Sequence, residues 1–145
     1  LKQKNLDVNL RDEIAKPILN LANKNKVIIL YPIPELGWDI KRKILKNTSR
    51  NILKIKDKFK KDFPIISTSY DVFKERNKSS FEILDSIQHE NISRVYPHKL
   101  FCNNSLKGRC VANDEKNLFY IDTDHLSEFA SSEVVELIIK EINKN

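Results

Sequence analysis

The feature that most constrains the fold is a short apolar run at residues 26–31, Lys-Val-Ile-Ile-Leu-Tyr, which Pro32 and Pro34 bring to an end. A nearly continuous run of β-branched and aliphatic residues is typical of a strand that is buried on both faces, as in a parallel sheet. Proline cannot donate to a sheet ladder, so the strand must end at these positions. Because parallel neighbours need a crossover connection, the run predicts an α/β fold.

Apolar residues recur three and four positions apart in three other stretches, and this spacing predicts helices over residues 11–25, 67–88 and 127–143. Pro17 fits the first of these helices only if it falls in the first turn. A second strand is expected over residues 92–96, a short extended piece over 118–121, and a short helix from Asp39 to about residue 46. Strands that alternate with helices indicate part of a mostly parallel sheet.

The net charge of +6 is concentrated between Lys41 and Lys61, a basic segment with ten basic residues and one acid. A solvated helix face explains it most simply. Attraction to an anionic lipid surface is the second interpretation. Nucleic acid is the least favoured partner, because aromatic residues are not interleaved with the lysines and no nucleic-acid motif accompanies them.

Glycine-rich phosphate loops are excluded, because Gly37 and Gly108 are the only two glycines of the 145 residues. No apolar run approaches the ~20 residues that a transmembrane helix needs.

Asp122 and His125 lie three residues apart, just before the last predicted helix. Across one turn, the carboxylate can reach the imidazole Nδ1–H and fix the tautomer that a general base requires. The other nitrogen, Nε2, would then face a nucleophile elsewhere in the fold. The same spacing also fits a histidine that merely caps or solvates a helix start. Asp122 and Asp124 could form a D-x-D metal site, but no further acidic ligand lies nearby in the sequence, so no metal is expected.

The run from Tyr120 to Ser127, Tyr-Ile-Asp-Thr-Asp-His-Leu-Ser, resembles the last signature block of SGNH hydrolases. More narrowly, it is similar to the periplasmic SGNH domain at the C-terminus of acyltransferase 3 family membrane proteins, the O-antigen acetyltransferase type. The Pro-Ile-Pro-Glu-x-Gly turn at residues 32–37 fits the same subfamily. So do the paired cysteines in Leu-Phe-Cys102 and Gly-Arg-Cys110.

The resemblance implies a three-layer, flavodoxin-like fold in which Asp122 and His125 are the acid and base of a Ser-His-Asp triad. It further implies a membrane-anchored O-acyltransferase at the periplasmic face of a bacterial inner membrane. The expected reaction moves an acyl group, acetyl in the first instance, to a hydroxyl of a cell-envelope glycan. The expected partners are the glycan acceptor and the protein's own transmembrane acyltransferase domain, which would handle the acyl donor. No cofactor is expected in this chain.

Three blocks of the family pattern are absent from the sequence. Neither Gly37 nor Gly108 is followed by Asp-Ser, so the nucleophile block is missing, and the oxyanion-hole glycine and Gly-x-Asn blocks are missing too. We therefore expect residues 1–145 to be the C-terminal portion of one SGNH-like domain, without its N-terminal strands and inactive alone. Ala130 stands where the subfamily usually has glycine. The alternative is a non-catalytic basic α/β module that binds an anionic partner through the basic segment.

Cys102 and Cys110 frame a polar loop and are eight residues apart. In a reducing compartment they would be free thiols. Zinc is disfavoured, because there is no second cysteine pair. A disulfide is the better interpretation, and it agrees with a periplasmic location. His89 and His98 are expected at the surface, and Trp38 is expected to pack on the turn after the first strand.

Overall fold

A computed structural model describes residues 2–44, 46 and 65–144, with side chains described from residue 10 onward. Its helices are α1 (Lys2–Ala22), α2 (Tyr70–Ser86), α3 (His98–Phe101) and α4 (Glu128–Ile142). Residues 40–44 are helical as well, in agreement with the short helix expected from Asp39. Its strands are β1 (Val27–Leu30), β2 (Ser67–Ser69), β3 (Ile92–Val95) and β4 (Arg109–Val111). Among these residues no helix is long and apolar enough to span a bilayer. Most of the basic segment lies outside the described residues, so its partners stay a prediction.

Strands β1 and β3 form the parallel pair that the apolar run predicts, in a register that aligns Val27 with Ile92 and Leu30 with Val95. Side chains alternate between the two faces of a sheet. Ile29 and Ile92 are buried on one face in a cluster with residues of α1 and α2. Ile28, on the opposite face, lines a cavity together with residues of α4. Helices therefore cover both faces, and the predicted mostly parallel α/β architecture is confirmed.

Helix α1 differs from its prediction in length and in its buried face. It begins at Lys2 rather than near residue 11 and continues through Pro17, which is therefore not in the first turn. Proline removes one intrahelical hydrogen bond, so packing must compensate for this loss. Ile14, Ile18 and Ala22 pack against the sheet, whereas Leu21 is 57% exposed. The three- and four-residue spacing of Ile14, Ile18 and Leu21 predicts Leu21 on the buried face, whereas the structure has Leu19 there.

The antiparallel pair of β2 and β4 was not predicted, and it replaces the first turn of the expected helix over residues 67–88. Ser67 pairs with Val111, and the backbone N–H of Ala112 donates to the carbonyl of Ile66 over 2.7 Å. The chain then turns into α2, which Ser69 caps by accepting from the N–H of Val72 over 3.3 Å. An N-cap hydroxyl satisfies one of the unpaired donors at a helix start.

The two cysteines are joined by a disulfide, with their Cα atoms 3.8 Å apart. Cys102 lies directly after α3 and Cys110 lies in β4, and the two residues also form an antiparallel bridge. Both are buried against Phe73 of α2. The disulfide therefore closes the short loop between α3 and β4, and α2, which is distant in the sequence, packs against it through Phe73.

The expectation that His98 lies at the surface is wrong, because its residue is only 5% exposed. The imidazole lies among the rings of Tyr70, Phe73, Phe81 and Tyr96, with centroids 5.4–6.2 Å away. Its Nδ1 has no hydrogen-bond partner among the described residues. Burial lowers the pKa of His98, with a smaller contribution from Lys99. The ring is therefore a neutral, unsatisfied polar group inside an aromatic cluster.

Opening the disulfide should destabilise the fold. Closing a loop this short contributes on the order of 2–3 kcal/mol in the loop-entropy account. We expect the double substitution of Cys102 and Cys110 by serine to lower the free energy of unfolding by that order, measured by urea denaturation. Mass spectrometry after alkylation without reductant should find no modified thiol in the native protein. Two alkylated cysteines would contradict the disulfide.

Replacing His98 by phenylalanine should stabilise the protein, since an unsatisfied buried polar group costs roughly 1–3 kcal/mol. The advantage should grow as the pH falls below 6.5, because the unfolded state then binds a proton that buried His98 resists. His89→Phe is the matched control. His89 accepts the backbone N–H of Asn91 over 3.1 Å, so its loss should destabilise. A lower melting temperature for His98→Phe would contradict this account.

Candidate functional site

Asp122 and His125 lie in a tight turn whose two ends are joined by backbone hydrogen bonds. The N–H of Ile121 donates to the carbonyl of His125, and the N–H of Ser127 donates to the carbonyl of Phe119, both over 2.9 Å. Ser127 then caps α4 by accepting from the N–H of Ala130 over 3.2 Å. These bonds fix the backbone that carries the Asp-His pair.

The turn is attached to the loop that leaves the carboxyl end of β1. The hydroxyl of Tyr120, a residue 1% exposed, donates to the carbonyl of Pro34 over 2.7 Å. The N–H of Leu36 donates to the carbonyl of Thr123 over 2.8 Å. The turn therefore lies at the carboxyl edge of the parallel pair, where open α/β sheets place their sites.

The side chains of Asp122 and His125 are hydrogen bonded, as the spacing predicts. Oδ2 of Asp122 lies 2.8 Å from Nδ1 of His125. Oδ1 of the same carboxylate accepts the backbone N–H of Asp124 over 3.0 Å and that of His125 over 2.8 Å. The His125 side chain is 70% exposed. Nε2 receives no hydrogen bond from the described residues, so it is open to a substrate or a nucleophile.

The hydrogen bonds of this turn set the charge states of both groups. The backbone N–H groups of Asp124 and His125, followed by the imidazole, hold the pKa of Asp122 well below its usual range. The hydrogen bond that His125 donates to Asp122, with smaller effects of the charges of Asp122 and Asp124, raises the pKa of His125. Asp122 is thus ionised at neutral pH, and His125 is a stronger base than a free imidazole.

Asp124 and Thr123 also belong to the site, although sequence reasoning considered Asp124 only as a disfavoured metal ligand and gave Thr123 no part. Oδ1 of Asp124 lies 3.5 Å from Nδ1 of His125 and accepts the hydroxyl of Thr123 over 2.7 Å. The sequence feature that could have indicated this is the second carboxylate, Asp124, of the Asp-Thr-Asp-His run. Asp122, Asp124 and His125 each offer a ligand atom within 4.8 Å of the others. A metal ion at this point would have to replace the hydrogen bond between Asp122 and His125.

Three further residues near the turn, Trp38, Ala130 and Ser127, have packing or hydrogen-bonding roles in the fold. Trp38 packs beside the cluster that contains Tyr120, as expected for the turn after β1, and the ammonium of Lys43 lies 5.0 Å from its ring centroid. Ala130 is buried against Phe101 and Val134. The hydroxyl of Ser127 donates to the carbonyl of Leu118 over 2.6 Å, so this serine is occupied and is not a free nucleophile.

Comparison with known proteins assigns a family to this geometry. The family model described as SGNH domain (fused to AT3 domains) matches residues 2–140. The chain belongs to this family. No curated protein and no solved structure gives a significant match to it.

Membership of the SGNH family agrees with the α/β fold and with the resemblance carried by residues 120–127. It indicates an acyltransferase or hydrolase type of activity for the protein. It also indicates the extracytoplasmic domain of a membrane protein. The acyl group, the acceptor and the roles of single residues are matters for proposal.

The Asp122→Asn substitution in this SGNH domain should lower the pKa of His125 towards its ordinary value of 6.5. The amide keeps an oxygen for the backbone N–H groups but has no charge to stabilise the imidazolium. The stability that the ion pair contributes in the native protein is fully present at a pH below 6.5, the ordinary pKa of histidine. It is lost as the pH rises through the raised pKa of His125.

A titration of the His125 ring protons by NMR measures this shift. Glu115→Gln is the matched control, since it removes one exposed carboxylate in the loop before the turn and should leave the titration unchanged. An unaltered midpoint in Asp122→Asn would contradict the assigned hydrogen bond.

Proposed function

We propose that this SGNH domain serves an O-acyltransferase that moves an acyl group, acetyl in the first instance, to a hydroxyl of a cell-envelope glycan. The observation that carries the proposal is the 2.8 Å hydrogen bond between Asp122 and His125. It combines an oriented, exposed imidazole with a carboxylate that is ionised at neutral pH. Acyl transfer by a serine enzyme requires this combination. The fusion partner in the family description supports a transferase over a simple hydrolase.

His125 would act as the proton carrier in both halves of the reaction. In the first half, Nε2 takes the proton of a serine hydroxyl while its oxygen attacks the acyl carbonyl, and the proton then passes to the departing donor group. In the second half, Nε2 takes the proton of the glycan hydroxyl while its oxygen attacks the acyl-serine. The serine leaves and regains the proton. Asp122 holds Nδ1–H throughout and stabilises each imidazolium.

The serine nucleophile is not assigned within this chain. The sequence has no Gly-Asp-Ser, and Ser127, the serine closest in sequence to His125, is occupied in capping α4. We propose that a segment outside this chain supplies the nucleophile and the oxyanion hole. The open Nε2 of His125 is the position at which that serine would meet the pair.

Two partners and a location follow from the proposal. The acceptor is a glycan, and the transmembrane acyltransferase domain of the same protein would deliver the acyl group. The proposed location is the periplasm, and the disulfide between Cys102 and Cys110 supports it, because disulfides persist in oxidising compartments. Lipid attraction through the basic segment rests on charge alone.

Hydrolysis of p-nitrophenyl acetate tests the proposal in two proteins, this chain alone and a longer protein that includes the preceding segment. The chain alone should show background turnover, since a triad without its nucleophile and oxyanion hole has no route to an acyl-enzyme. The longer protein should be active. His125→Ala should lower its kcat by about 10³-fold or more, and Asp122→Asn by about 10²–10⁴-fold.

The activity of the longer protein should rise with pH through the raised pKa of His125, because the base must be neutral. His89→Ala is the matched control, and it should leave the rate unchanged. Turnover by this chain alone that is lost in His125→Ala would place the nucleophile among its own serines and contradict the assignment.

A further inference from the structure

A groove of about 320 Å³ lies beside α2, away from the turn that carries Asp122 and His125. Helix α2 supplies the rings of Tyr70, Phe73 and Phe81, which lie on one side because their positions are three and eight residues apart. Helix α3 supplies His98. The groove is therefore lined by aromatic rings around one imidazole, a composition typical of small-ligand sites.

His98 is the polar group in this lining that has no structural task among the described residues. It is 5% exposed, and its Nδ1 has no hydrogen-bond partner there. Phenylalanine would fill the same space without an unsatisfied nitrogen, so stability does not explain a histidine at this position. A ligand in the groove that hydrogen bonds the imidazole does explain it.

The charges around the rings restrict the chemistry of that ligand. Lys74 and Lys78 line the groove together with Glu82 and Asp85, so both signs are equally represented. A strongly charged ligand would meet repulsion as well as attraction, and a hydrocarbon would leave the imidazole unpaired. A sugar ring presents an apolar face of C–H groups to the aromatic rings. Its hydroxyls both donate and accept, as the ammonium and carboxylate groups require.

We propose that the groove between α2 and α3 binds one sugar ring of a glycan, with His98 as its central hydrogen-bonding group. If the proposed function is correct, this glycan is the acyl acceptor. The groove is then a subsite that holds the glycan at a point remote from its reacting hydroxyl. Binding energy from such a remote contact positions the substrate.

The fold places the groove at the same end of the sheet as the Asp-His turn. Tyr31 follows β1 and Tyr96 follows β3, and their ring centroids lie 4.3 Å apart at the carboxyl edge of the parallel pair. Phe73 lines both the groove and a smaller cavity of about 160 Å³, which Glu35 also lines. The neighbour of Glu35, Leu36, is hydrogen bonded to Thr123 of the turn. The groove and the Asp-His turn are therefore linked through neighbouring residues at one end of the fold.

Isothermal titration with three tetrasaccharides tests the proposal: neutral maltotetraose, the amino-sugar chitotetraose and acidic tetragalacturonate. We expect saturable binding of at least one by the wild-type protein. His98→Phe and Tyr70→Ala should each weaken it by about ten-fold or more. His89→Phe is the matched control, because His89 lies outside the groove, and it should keep the wild-type affinity. Circular dichroism and thermal unfolding establish that each variant is folded.

Three results would overturn the subsite. These are no binding of any tetrasaccharide by the wild-type protein, affinity that survives in both groove variants, or affinity that survives in His98→Phe alone. Tyr70 is only half-buried, so its variant tests the groove even if His98→Phe fails to fold. The titration contains no acyl donor, so its outcome is independent of the esterase assay. Sugar binding together with an inactive longer protein in the esterase assay would refute the proposed function and leave the groove standing. An active longer protein without sugar binding would refute the groove.

Discussion

The site depends on the hydrogen bond between the Tyr120 hydroxyl and the carbonyl of Pro34. Pro32 and Pro34 end β1 because they have no N–H to donate, and their carbonyls then need donors from elsewhere in the chain. The buried hydroxyl of Tyr120 satisfies that of Pro34, and the burial of this ring raises the pKa of its hydroxyl. The phenol therefore stays protonated and continues to donate. Through this contact the end of the sheet determines where the Asp-His turn lies.

Within the turn, the two oxygens of Asp122 have separate tasks. Oδ1 accepts two backbone N–H groups and so shapes the turn, while Oδ2 orients the imidazole. Both tasks favour the ionised carboxylate, because each oxygen accepts from a donor. The histidine is therefore oriented by a carboxylate that stays ionised over the pH range in which the imidazole gains and loses its proton. This separation allows the ring to be exposed and still have a fixed tautomer.

The sequence predicted those parts of the fold that have strong local signals. An apolar run ended by proline located β1, a short segment before Pro97 located β3, and the spacing of Asp122 and His125 was sufficient to bring their side chains together. Strand β2 was missed because it is three polar residues, Ser-Thr-Ser, without apolar alternation. The pairing of β2 with β4 is long-range, and the guanidinium of Arg109 reinforces it by donating to Ser67.

Burial of His98 was missed for a related reason. Its neighbours in the sequence are Pro97 and Lys99, which suggest a surface turn, whereas the rings that enclose it come from α2 and the end of β3. Such an environment exists only in the folded chain. Pro17 is the opposite case. Its local signal against a helix is strong, but the packing of α1 on α2 and on the sheet overcomes it.

The disulfide has a consequence for the order of maturation. Phe73, which lines the aromatic groove, packs directly against both cysteine side chains. Newly synthesised chains carry thiols and become oxidised only where the compartment permits. The packing of Phe73 against the disulfide, and with it one wall of the groove, is therefore completed only after the covalent link forms.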